Sequence, residues 1–74
     1  MKAGTFQKRL CEAVRRRREA TGLTQEEFAD LVGIHRAYYS RLERGEHNVT
    51  LATLEKISAG LKIGLWEIAK DAGI

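Results

Sequence analysis

Apolar residues return along the chain every three or four positions, the spacing of helices that turn one face to a shared core. Phe6, Leu10, Val14 and Thr21 fall on one face of a predicted helix from about Thr5 to Thr21, flanked by Cys11 and Ala13, and Gly22 stops it. Thr24 then offers an N-cap, Glu27 completes a capping box, and Leu23 is placed to staple onto Phe28. The stripe of that second helix is Phe28, Ala29 and Val32, with Gly33 at its end. A third helix follows from about His35 to Arg44, closed by Gly45. Thr50 caps a fourth that buries Leu51, Leu54, Ile57 and Leu61. A fifth begins near Leu65 and turns Leu65, Ile68 and Ala72 inward. With no proline, no repeat and no linker, residues 1–74 are expected to form one all-α domain of five helices.

The junction between the second and third helices is the most specific part of the pattern. A connection of three or four residues containing glycine, after a helix under three turns long, predicts a helix-turn-helix over about residues 24–44. Ala29 is small where the two helices cross, and Gly33 sits where the turn needs a left-handed residue. Phe28, Val32, Ile34, Tyr39 and Leu42 are apolar or aromatic at the spacings that hold such a pair together.

Composition narrows the chemistry. Hydrophobic residues make up 43% and charged residues 31% of the 74, as in soluble globular proteins. No apolar run approaches the ~18 residues of a membrane span, and the opening MKAGTFQKRL is too polar for a signal peptide, so a cytoplasmic location is expected. The single cysteine, Cys11, excludes an internal disulfide and reads as a rim residue of the first helix. His35 and His47 with Cys11 are too few and too poorly spaced for zinc, and no nucleophile–base pair can be assembled. Neither catalysis, nor a metal, nor a cofactor is expected.

Net charge is only +3, but it is segregated. Residues 1–18 hold seven Lys/Arg against Glu12, residues 19–32 hold four acids and no base, and residues 33–45 are basic again. A positive side of this kind suits nucleic acid or an anionic membrane. The bases do not lie on one long amphipathic helix, which disfavours the membrane.

The stretch GIHRAYYSRLERG concentrates this charge. On a helical wheel His35, Tyr38 and Tyr39 lie within about 60° of Leu42 and face inward. Arg36, Ala37, Ser40, Arg41 and Arg44 form one outward arc. Alone, this arc reads equally well as a solvated face. On the second helix of a helix-turn-helix it is the surface that enters a major groove.

LTQEEFADLVGI, the ending SRLERG and NVTLATLEKI together resemble the Cro/C1-type (XRE-like) helix-turn-helix family of DNA-binding regulators over about residues 6–70. The ERGxxNVTL-like segment and compact length look like the controller proteins of restriction–modification systems. The resemblance implies a lambda-repressor-like fold and a transcriptional regulator. By it, Arg36, Ala37 and Arg41 read base edges, while Tyr38, Ser40, Arg44 and Asn48 contact phosphates. Gln25 is similar to a glutamine that grips a phosphate and props the start of the third helix. Arg18, in the RRRR run, resembles an arginine that pairs with a glutamate of the third helix, here Glu43. Arg15 and Arg16 are either solvated or a source of long-range attraction. Glu26 and Asp30 occupy the face where some activators of the family touch RNA polymerase, although a solvated acidic face is the plainer reading.

Departures from the family pattern are Tyr39 for an aliphatic residue, His35 for a Ser or Thr cap, Lys62 for a terminal glycine and Gly64 for a polar cap. The third helix is therefore expected to start less well capped.

One such domain covers little DNA, so a homodimer on a palindromic operator is expected. Leu65, Trp66 and Ile74 are the interface candidates, unless Trp66 folds back over the core. The competing class is an antitoxin or adaptor that uses the same fold to bind a protein partner.

Overall fold

A computed structural model describes residues 3–46 and 48–73, with side chains from Phe6 onward. His47 and Ile74, both part of the expectations above, lie outside the described residues. Five helices follow one another: α1 (Ala3–Thr21), α2 (Gln25–Val32), α3 (Arg36–Glu43), α4 (Leu51–Leu61) and α5 (Leu65–Asp71). No strand occurs among the described residues, and none of their helices is long and apolar enough to cross a membrane. The long α1 is the spine, touching α3, α4 and α5, while α2 packs on α3 and α4.

Where these helices begin and end follows local chemistry. The Thr24 hydroxyl accepts from Glu27 N, and Glu27 in turn accepts from Thr24 N at 2.9 Å, so the capping box is closed. Gly33 ends α2 at φ 75°, in the left-handed region that a Cβ disfavours. His35 caps α3: its Nδ1 accepts from Ala37 N at 3.3 Å, so the imidazole does the work of the expected hydroxyl. That use of the ring leaves His35 exposed, not inward as the wheel suggested.

The core is built around Cys11, Val14, Phe28, Tyr39, Leu42, Ile57 and Ile68, all essentially inaccessible. Phe28 and Tyr39 meet at 5.4 Å between ring centroids and 55° between planes, a tilted arrangement that adds about 0.5–1.5 kcal/mol beyond area burial. The larger ring at position 39 is thus the anchor of the α2–α3 junction. Cys11 belongs to this core and is not a rim residue, and burial pushes its thiol pKa up. Thr21, expected on the inner face of α1, is exposed; its hydroxyl donates to Arg18 O and accepts from Leu23 N at the helix end. Leu51 is likewise exposed at 66%. It heads α4 and lies about 120° around the helix from the buried Ile57. Ser58, buried instead, satisfies its hydroxyl on Glu55 O at 3.0 Å.

Two backbone positions set the seat of α4. A Cβ at Gly60 would run into Val32 Cγ1, so the missing side chain lets α4 close on α2. Lys62 ends α4 at φ 59°, the only non-glycine among the described residues with positive φ. Lys62→Gly is expected to stabilise the fold by about 0.5–1 kcal/mol, visible as a melting temperature higher by roughly 2–8 °C. An unchanged or lower melting temperature would show that the lysine stem offsets its backbone strain.

Candidate nucleic-acid interface

The position of α3 depends on a buried ionic node. Glu43, at the end of α3, is only 2% exposed, and its partner Arg18 12%. Arg18 reaches across from α1 with Nε at 2.6 Å from Glu43 Oε2 and Nη2 at 3.1 Å from Oε1, and it spends Nη1 on Leu23 O at 2.8 Å. Tyr39 OH and Gln25 Nε2 donate to the same carboxylate. One acid therefore joins α1, α2, α3 and the loop after α1. Burial alone would raise the Glu43 carboxyl pKa. The hydrogen bonds from Arg18, Tyr39 and Gln25 outweigh that, and hold it below the usual carboxylate value. Burial, and then the Glu43 carboxylate it donates to, push the Tyr39 hydroxyl far above its normal range, against the opposing pull of Arg18. Gln25 thus braces the end of α3, not its start.

With Leu42, Tyr39 and Glu43 turned inward, the opposite side of α3 presents Arg36, Ala37, Arg41 and Arg44, all exposed, with Ser40 and Tyr38 at the half-buried flanks. The three arginines differ in their company. Arg36 folds back over the turn and forks onto Asp30, with Nε to Oδ1 at 3.2 Å and Nη2 to Oδ2 at 2.8 Å, and Nη1 lies 3.6 Å from Glu26. Hydrogen bonding to Arg36 lowers the Asp30 pKa. Arg44 pairs with Glu46 at 2.9 Å and reaches Ser40 Oγ at 3.3 Å. Arg41 has no ion pair among the described residues.

Asn48 is exposed in the loop that leads to the Thr50 cap of α4. That loop is pinned to α1, where Gln7 Oε1 accepts from Val49 N at 3.3 Å. Neither Gln7 nor the Asp30–Arg36 fork was visible in the apolar spacing: one is a single amide among the many polar and charged residues of α1, the other a contact made only when the turn folds α3 against α2.

The RRRR run disperses instead of forming a patch. Arg15 pairs with Glu19 one turn on. Arg17 grips Asp71 of α5 at 2.5 Å, and Arg16 lies 3.5 Å from the Asp71 carbonyl. Arg18 is taken by Glu43. On α5, Leu65 is half-buried, whereas Trp66 stands 66% exposed with Lys70 Nζ 5.8 Å from its ring centroid. Trp66 therefore does not fold back over the core.

A family model described as helix-turn-helix matches residues 14–68. Control protein C.MunI of a Mycoplasma species is 53% identical over 55 residues, 74% of each chain. Control protein C.SmaI of Serratia marcescens is 37% identical over 65 residues, 88% of this chain and 77% of its own. Among solved structures, the restriction-modification controller protein C.AhdI from Aeromonas hydrophila superposes with a TM-score of 0.77 at 37% identity. The match covers 81% of this chain and 91% of that one.

Proposed function

The chain belongs to the Cro/C1-type helix-turn-helix family, and on that premise we propose that it is a sequence-specific, DNA-binding transcriptional regulator with α3 in the major groove. The observation that carries this is the outward face of α3: two arginines and one small residue on an eight-residue helix whose inner side is locked by Glu43, with a third arginine, Arg44, at its C-cap. Arg36 and Arg41 donate forked hydrogen bonds to guanine O6 and N7, and Ala37 meets a thymine methyl. Tyr38, Ser40, Arg44 and Asn48 hold phosphates on either side, and the N–H of Gln25 not spent on Glu43 adds another at the start of α2. The two control-protein relatives, with the restriction-modification controller protein C.AhdI, extend the reading to control of a restriction–modification system.

A homodimer on a palindromic operator completes it, since one domain of 74 residues covers too little DNA for tight specific binding. Leu65 and the exposed Trp66 on α5 are its interface. Glu26 and Asp30 stay more than half exposed while they hold Arg36, so the acidic face of α2 remains open to RNA polymerase.

The test is selection of bound duplexes from a random pool, followed by titration of the winner. Enriched sites are expected to be two-fold symmetric, with half-sites one helical turn or a multiple apart. Log K is expected to fall with log salt by roughly 0.9 per phosphate neutralised. No enriched sequence, together with a stoichiometric protein partner in the purified material, would favour the adaptor class instead.

A further inference from the structure

Arg36 is the only base-reading candidate on α3 whose guanidinium is already held, and its holder belongs to another helix. Both partners of the fork are more than half exposed, 55% for Arg36 and 58% for Asp30. An ion pair in that much water contributes little to stability, so folding does not account for two carboxylates converging on one arginine. Geometry offers a better account. A guanidinium has two forked edges, one made by Nε and Nη2, the other by Nη1 and Nη2. Asp30 takes the first, through Nε at 3.2 Å and Nη2 at 2.8 Å. The second, which also presents two parallel N–H groups, is the one left for guanine O6 and N7. Glu26, 3.6 Å from Nη1, lies beyond hydrogen-bond reach of that edge.

We propose that Asp30 is a specificity-determining positioning residue, which buttresses Arg36 so that its free edge meets a guanine and which repels duplexes that lack one. This rests on the reading of α3 as the DNA-reading helix. Holding the guanidinium beforehand removes rotamer freedom that would otherwise be lost on binding. The two carboxylates around one arginine leave a local charge of −1 beside the phosphates. A non-cognate site must accept that repulsion without the forked base contact that offsets it on the cognate site. Discrimination thus has both an attractive and a repulsive part. Arg41, which has no such holder among the described residues, depends on the groove alone for its orientation.

The test uses the full chain and the duplex obtained by selection, alongside a duplex in which the guanine pair facing Arg36 is replaced. Asp30→Asn keeps the side-chain shape and removes the charge. It is expected to raise affinity for random duplex and to reduce discrimination between the two sites by about tenfold, with the melting temperature unchanged. Asp30→Glu should recover part of the discrimination. In an Arg36→Ala background the same Asp30→Asn change should leave discrimination where Arg36→Ala put it. Full discrimination retained in Asp30→Asn would overturn the proposal, as would an equal loss in the Arg36→Ala background. A wild-type chain without sequence preference would instead overturn the reading of α3 itself, and this proposal with it.

Discussion

Arg18→Ala is expected to destabilise the domain by about 3–5 kcal/mol, because it strips the charged partner from a carboxylate that has almost no access to water. For 74 residues the whole stability is roughly 4–11 kcal/mol, so at neutral pH the variant should melt far below the parent or fail to fold at 37 °C. Glu43 keeps its hydrogen bonds from Tyr39 and Gln25, which holds the loss toward the lower end. The pH dependence separates this cause from a simple packing defect. In the parent the Glu43 pKa is lowered from 4.5, so its contribution is fully present above that value and is lost as pH falls through the folded-state pKa. In Arg18→Ala, protonating Glu43 removes the unpaired charge, so the gap between parent and variant should narrow as pH falls toward 4. Denaturant melts at pH 7, 5 and 4 measure this directly. A gap that stays constant across the three, or one below 1 kcal/mol at pH 7, would mean that the node is not what holds α3.

Most of what was legible in the sequence was written in one helix at a time; the buried α2–α3 junction and the Arg18–Glu43 pair, which cross between helices, came from the turn pattern and the family resemblance. The Thr24–Glu27 box, the stop at Gly33 and the burial of Phe28, Ala29 and Val32 each depend on residues within four positions of one another, and each is present. Segment ends and single faces follow from such short-range patterns. Thr21 and Leu51 were misplaced because each sits at a helix terminus, where periodicity continues but the neighbouring helix does not. The His35 cap was missed for a different reason, since an imidazole acceptor is not a statistical capping residue.

At the site, the exposed arc of α3 followed from the wheel, but the company of each arginine did not. Asp30 is six residues from Arg36 and on another helix, and Asp71 is 54 from Arg17. Pairs like these arise from how helices cross, and opposite charges are common enough in a chain with 31% charged residues that spacing cannot select them. The same limit explains why the four consecutive arginines, so conspicuous in one dimension, divide among Glu19, Asp71 and Glu43 on three different helices.

The difference in company sets the second large effect, on DNA binding. Arg41→Ala removes a guanidinium that is exposed in the last turn of α3 and has no ion pair among the described residues. Its whole hydrogen-bonding capacity is therefore available to a base. Losing it should cost about 1–3 kcal/mol on the cognate site and relax preference at one base pair in each half-site. The salt slope on random duplex should stay nearly the same. Arg44→Ala acts otherwise. Arg44 caps the C-terminal end of α3 and its guanidinium is tied to Glu46 and Ser40, which leaves it less free than Arg41 to fork onto a base and suits the phosphate contact proposed for it. Removing it should weaken cognate and random duplexes alike and reduce the salt slope by about 1 per half-site. The two variants are thus expected to part along different axes, one in selectivity and one in electrolyte dependence. Titrating both against cognate, single-substituted and random duplexes at several salt concentrations resolves the axes. If both lose affinity equally on every duplex, α3 only adheres to the backbone and the base-reading role assigned to Arg41 fails.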